Sequence, residues 1–160
     1  MTNDRLRGVF EALGFSNVQS LLSSGNIIFS SITPPSESDI ERAIEQQLGF
    51  FRPVIVRSQD GLRHLLNLKP FGNSEHSHKN YTLVTFLKDA QPTLPFDIPL
   101  QNIDGSFDII GYDKKTRAIF SVTDHTAVKT PNVMTWLEKQ LGKDITSRTW
   151  KTVERIYLKF

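Results

Sequence analysis

The sequence predicts an α+β fold, and three observations carry that prediction. Pairs of short apolar runs flank turn residues in two places, which is the pattern of β-hairpins. Apolar residues recur at helical spacing in five other segments. Hairpins and helices follow one another in an order that suits antiparallel or mixed sheets covered by helices.

Leu6, Val9, Phe10 and Leu13 give the i, i+3, i+4, i+7 stripe of an amphipathic helix, and Gly14 stands where that helix stops. Val18–Leu22 and Ile27–Phe29 bracket Ser23-Ser24-Gly25-Asn26, a hairpin with its turn. Ser36 with Asp39 resembles a capping box before Ile40, Ala43, Ile44 and Leu48, and Gly49 ends the helix. Pro53-Val54-Ile55-Val56 reads as a short buried strand. The stretch up to Ser58 therefore reads as a ferredoxin-type plait, β-α-β-β-α-β, without its first strand.

Ser58 caps a helix carrying Leu62, Leu65 and Leu66. A loop over 69–80 leads to a strand from Tyr81 to Leu87, and 89–105, with Pro92, Pro95 and Pro99, reads as irregular. A second hairpin runs from Phe107 to Tyr112, turns at Asp113-Lys114-Lys115 and returns from Arg117 to Val122. Thr130-Pro131 reads as a cap with proline at the first helical position, ahead of Val133, Met134, Leu137 and Leu141. Gly142 closes that helix. Ile145-Thr146-Ser147 is a short strand, and Thr149 to Tyr157 is the last helix.

The 160 residues suffice for one unit made of two small halves, 1–58 and 59–160. With 38% hydrophobic and 22% charged residues the chain is globular in composition. No apolar run reaches the roughly 18 residues of a membrane span, and the polar start has no signal-peptide core, so no membrane partner is expected. The absence of cysteine excludes disulfides, thiolate metal sites and cysteine nucleophiles, and fits a reducing cytoplasm. No GxxxxGK[ST], GxGxxG, HExxH or GxSxG motif is present.

Two segments carry a resemblance to a known family. Glu11-Ala12-Leu13-Gly14-Phe15-Ser16-Asn17-Val18, followed by Ser24-Gly25-Asn26-Ile27-Ile28-Phe29, resembles the helix end and SGN hairpin of the uncharacterised DUF1697 group. Thr146-Ser147-Arg148-Thr149-Trp150-Lys151-Thr152-Val153 resembles a segment near that group's other end. Pro53–Arg57 and Val84–Leu87 sit in the expected order between them. The resemblance implies two ferredoxin-like halves packed together and implies no reaction. Members of the group begin with a strand and a glycine-rich turn. This chain starts at the helix, so the first half is expected to lack both and to leave a sheet edge open for self-association. Val128-Lys129-Thr130 also departs from the group's pattern.

Candidate chemistry is sparse. Ser24-Gly25-Asn26 offers free backbone N–H groups to an anion, and equally well makes a simple turn. Arg148, with Ser147, Trp150 and Thr152, lies at the start of the last helix, where first-turn amides and a guanidinium suit a carboxylate or phosphate. The alternative makes Trp150 core and Arg148 the partner of an acid. Six basic and two acidic residues fall between Lys139 and Phe160. Lys151, Arg155 and Lys159 have i, i+4, i+8 spacing, as a nucleic-acid contact or a solvated face would. Lys79–Phe86 partly resembles an RNA-binding strand, although Leu83 and Asn80 occupy positions where an aromatic and a glycine are wanted. His76 and His78 share one side of an extended segment without an evident third metal ligand. Asp124-His125 is too little for an acid–base pair.

The function expected is a binding module for an anionic ligand, either nucleic acid or a phosphate-bearing molecule, through the basic C-terminal helix. An enzyme with a pocket between the halves and a protein–protein interaction module are the alternatives. The sequence leaves any cofactor unknown and implies no metal.

Overall fold

The computed structural model describes residues 3–21, 25–72, 79–126 and 132–160. It has an α+β fold with two sheets and two compact units, Met1–Val56 with Lys159–Phe160, and Arg57–Leu158.

In the first unit, α1 (Asn3–Ala12) and α2 (Glu37–Leu48) pack with a hairpin of β1 (Ser16–Leu21) and β2 (Asn26–Ser30). Leu6, Val9 and Phe10 of α1 are buried with Ile40, Ala43 and Ile44 of α2. Phe10, Phe15 and Phe29 form an aromatic knot between helix and hairpin, with Phe15 and Phe29 stacked at 4.5 Å. The caps of α2 are those the sequence predicts. Ser36 accepts from Asp39 N, and Gly49 takes the left-handed conformation at φ 79° that ends the helix.

The expected strand at Pro53–Val56 does not form. Its extended backbone pairs with no strand among the described residues. Instead Val54 N–H donates to Glu41 Oε1 at 2.8 Å and Val56 N–H to Glu37 Oε1 at 2.7 Å. Amides two residues apart point the same way on extended backbone, and the carboxylates of α2 take the place of a neighbouring strand's carbonyls.

The second unit holds a five-stranded antiparallel sheet in the order β4-β5-β6-β3-β7: β3 (Asn80–Leu87), β4 (Leu100–Gln101), β5 (Phe107–Asp113), β6 (Ala118–Asp124) and β7 (Ile145–Thr149). Strand β3 lies inside the sheet, in register with β6 from Asn80↔Asp124 to Phe86↔Ala118 and with β7 from Leu83↔Thr149 to Leu87↔Ile145. Strands β3, β5, β6 and β7, with α4 before β7, reproduce the strand order of a plait, with the irregular segment 89–99 in place of its first helix. Strand β4 was not expected; two residues in a proline-rich stretch give no period to read.

One face of this sheet buries Leu87, Ile109, Ile119 and Ile145 against Val133 and Leu137 of α4 (Val133–Leu141), with Phe96 and Trp136 joining at 4.9 Å. The other meets α3 (Gln59–Leu68) and α5 (Trp150–Tyr157), where Phe71 packs edge-on against both Phe120 and Trp150. Helix α4 is capped by Asn132, whose Oδ1 accepts from Thr135 N–H, so its cap is not the expected Thr130; Thr130 and Pro131 lie outside the described residues. No helix among the described residues is long and apolar enough to cross a membrane.

Arg57 closes the end of the second sheet. Its Nε donates to Thr116 O at 2.7 Å, Nη2 donates to Leu87 O, and the guanidinium lies 5.5 Å from the Phe86 ring centre. One side chain thus ties the end of β3 to the β5–β6 turn. Hydrogen bonds from a charged donor contribute about 1.5–3 kcal/mol each. Arg57→Ala is expected to lower unfolding free energy in urea by about 3 kcal/mol, and Arg57→Lys to recover little of it because a lysine lacks the fork.

Candidate functional site

Strand β7 and helix α5 meet at the corner that holds most of the candidate residues. Thr149 caps α5: its Oγ1 accepts from Thr152 N–H at 3.3 Å and pairs with Thr152 Oγ1 at 3.0 Å. Trp150 sets its ring 5.4 Å from Phe71, and Val153 is buried on the inner face. Tyr157 OH accepts from Arg63 Nε of α3 at 3.0 Å. That hydrogen bond, ahead of the nearby charges of Tyr157 and Asp60, holds the Arg63 guanidinium above its usual pKa.

The corner does not gather its candidates into one site. Successive residues of a strand face opposite ways. Ser147 faces α4: its hydroxyl pairs with Thr85 Oγ1 at 2.6 Å and donates to Met134 Sδ. Arg148 faces the other side, where its Nη1 donates to Thr146 Oγ1 at 2.7 Å and Ser147 O at 2.8 Å. Burial lowers the Arg148 pKa. These two residues serve the packing of β7.

Lys151 and Arg155 lie on the outside of α5, one turn apart and exposed. Lys159 lies beyond the helix, which ends at Tyr157, so the expected three-residue stripe is two residues on α5. Three cations of other helices are paired, whereas Arg5 of α1 and Lys139 of α4, both exposed, have no carboxylate partner among the described residues. Arg7 pairs with Glu11, Arg42 with Asp39 and Arg63 with Asp60, each within one turn. Among the described residues Lys151 and Arg155 take no such partner, although Glu154 is adjacent in sequence.

The remaining candidates separate. Ser24 lies outside the described residues, as do His76 and His78; Gly25 has φ 72°, and Asn26 Nδ2 donates to Leu21 O, both consistent with a turn. The RNA-binding reading of Lys79–Phe86 fails, because that mode needs an open sheet face. Here Thr82, Val84, Thr85 and Phe86 are buried on faces covered by helices. Asp124 accepts from the Thr126 hydroxyl and amide, which lower its pKa, while His125 lies 4.1 Å from the Tyr81 ring; they make no acid–base pair.

Two features escaped the sequence reading. His64 Nε2 of α3 lies 3.2 Å from Asp113 Oδ1, and Asp113 Oδ2 accepts from the Thr116 amide and hydroxyl. The partners are 49 residues apart, so no local pattern marks them. The second is Ser121, whose fully buried hydroxyl has no hydrogen-bond partner among the described residues. A shallow cleft of about 70 Å³ is lined by Leu87, Asp89, Gln91, Lys143 and Asp144. Ligand pockets run to roughly 300–1,000 Å³, so this cleft suits a few waters. No group of three or more metal-ligating side chains occurs among the described residues.

These features define an α+β protein with a closed, helix-covered sheet and a cationic helix exterior. The chain belongs to the DUF1697 family, described as proteins of unknown function, whose pattern matches residues 1–98. The solved structure of a conserved bacterial protein from Streptococcus pneumoniae is similar, with a TM-score of 0.58 and 18% sequence identity over 99% of this chain and 88% of that one. That likeness concerns the fold. Among curated proteins, none matches the sequence.

Asp113 yields a pH prediction. Burial works against its ionisation, but the bonds from Thr116 and His64 outweigh burial and hold the carboxyl below the usual carboxylate range. A depressed folded-state pKa contributes stability above the unfolded value, and this contribution fades as pH falls through the folded value. Wild type is therefore expected to be more stable than Asp113→Asn at about pH 5, with the gap narrowing as pH falls below the ordinary aspartate value of about 4. Urea midpoints of both proteins across that range measure it; a constant gap would contradict the assignment.

Proposed function

We propose that the second unit binds an anionic partner, either a nucleic-acid backbone or a phosphate-bearing molecule, on the outer face of α5 through Lys151 and Arg155. The observation that carries this reading is that α5 exposes two cations one turn apart on one face, neither with a carboxylate partner among the described residues. Arg7, Arg42 and Arg63 are each neutralised by a carboxylate on their own helix, and the single cations Arg5 of α1 and Lys139 of α4 are not. The face is also rigidly mounted, because Trp150 and Val153 anchor the opposite side of the helix. A fixed pair of cations loses less conformational freedom on binding than two free side chains do. Arg148 acts in this reading by holding the β7–α5 corner. The reading includes a cytoplasmic location, which the lack of cysteine fits.

Binding to a fluorescent single-stranded oligonucleotide, followed by anisotropy against salt, tests the proposal. Each phosphate neutralised on a single strand contributes a slope of about −0.7 to log K against log salt. Lys151→Ala with Arg155→Ala is expected to weaken binding and to flatten that slope by about 1.4. A double variant that keeps the wild-type slope would refute the assignment to α5, and no salt-sensitive binding of oligonucleotide or inorganic phosphate would refute the function.

A further inference from the structure

The segment 89–99 lies on the second unit's sheet where a plait has its first helix, and side chains alone hold it there. Leu94, Phe96 and Ile98 pack against the core on the α4 side, each only half-buried, while Thr93, Pro95 and Asp97 between them are exposed. Phe96 meets the Trp136 ring edge-on at 4.9 Å, and Trp136 lies 5.8 Å from Phe107. Among the described residues the segment makes one hydrogen bond, from Tyr112 OH to Gln91 O at 3.1 Å. Pro92, Pro95 and Pro99 have no N–H to donate. A helix in the same place would satisfy its own backbone; this segment leaves its backbone to water. Both of its ends are anchored. Leu87 N–H donates to Arg117 O at 2.9 Å and Lys88 N–H to Asp144 O at 3.0 Å. At the other end Leu100 and Gln101 pair with Ile109 and Asp108, and Asn102 N–H donates to Phe107 O at 3.0 Å.

We propose that 89–99 is a strap that swings off the sheet between these anchors while β3, β5, β6 and β7 stay paired, uncovering the Trp136 ring and the apolar surface beside it. Segments with few buried contacts open at lower free energy than the structure as a whole. On opening, the strap gives up half-buried apolar contacts and the Tyr112 hydrogen bond, and it regains backbone freedom. Opening the sheet is far more demanding, because β3 must part from β6 on one side and β7 on the other. The two openings are therefore separate events, and the strap is the weaker of the two.

Thiol labelling tests this in a chain with no cysteine of its own. Ile98→Cys reports on the strap, and Val84→Cys, fully buried on β3, reports on the sheet. Under native conditions Ile98→Cys is expected to be protected relative to a free thiol, yet to label at least about tenfold faster than Val84→Cys. Its rate is expected to rise with urea, but less steeply than that of Val84→Cys, because opening the strap exposes less surface than unfolding the sheet. Adding Val153→Ala, a buried position of α5 across the sheet from the strap, is expected to speed labelling of Val84→Cys and to leave Ile98→Cys unchanged. The same rate and urea slope at both thiols overturns the strap, as does equal acceleration of both by Val153→Ala. Labelling of Ile98→Cys at the rate of a free thiol, or at a rate independent of urea, overturns it too, since the thiol then reacts without any opening. Leu94→Cys and Ala118→Cys replace the first two reporters should either fail to fold.

Discussion

The double pairing of β3 is the constraint on which the second unit depends. From Leu83 to Phe86, with strand neighbours on both sides, β3 has little backbone left for solvent, and its side chains must divide between two buried faces. Val84 and Phe86 serve the face toward α3 and α5, while Leu83 and Leu87 serve the face toward α4. Polar residues in the strand are buried too, and Thr85 is satisfied by Ser147. The end of β3 is then fixed by Arg57, which has a second attachment in the β5–β6 turn. His64 and Asp113 make a similar tie from α3 to the same turn. These ties span 30 to 59 residues of sequence, and they hold where local propensity has nothing to offer.

That constraint also decides where function can reside. A sheet covered on both faces presents no stacking platform, so β3 cannot read bases. Residues on β7 are drawn into packing in the same way: Ser147 toward Thr85 and Met134, Arg148 toward Thr146. On α5 the inner face is committed to Phe71 and the core, and the outer face, where the proposed reading places the ligand, is exposed. In the first unit the same logic runs in reverse. No strand among the described residues pairs with the segment 53–56, and from the helix Glu37 and Glu41 accept from its amides. A carboxylate accepting from a backbone N–H is a charge-assisted bond, strong enough to hold an extended segment without a sheet.

Much of this was legible in the residues. Helix caps at Ser36, Ser58 and Gly49 use local chemistry, a side-chain oxygen or a left-handed glycine, and the sequence announces them. Both hairpins follow from apolar runs around turn residues. The strand expected at Pro53–Val56 has the composition of a strand, but a strand is defined by its neighbour, and composition does not reveal the neighbour. The same limit applies to the candidate site. Ser147, Arg148, Trp150 and Thr152 are close in sequence, yet strand alternation sends Ser147 and Arg148 to opposite faces. Arg57 and the His64–Asp113 pair are chosen by tertiary contact and carry no signature. Lys151 and Arg155 were legible as a spacing, and only their lack of carboxylate partners sets them apart from Arg7, Arg42 and Arg63.

Hydrogen exchange of the backbone amides tests the central claim most directly, namely that one unit has a doubly paired inner strand and the other lacks it. At low protein concentration, the amides of Thr82 to Leu87 are expected to exchange slowest in the second unit, through opening of the whole sheet. The outward amides of β2, among Ile27, Ile28 and Phe29, are expected to exchange far faster. Protection of every amide in β2 equal to that of β3 in the dilute monomer would contradict the account, because it would mean that β2 already has its second neighbour.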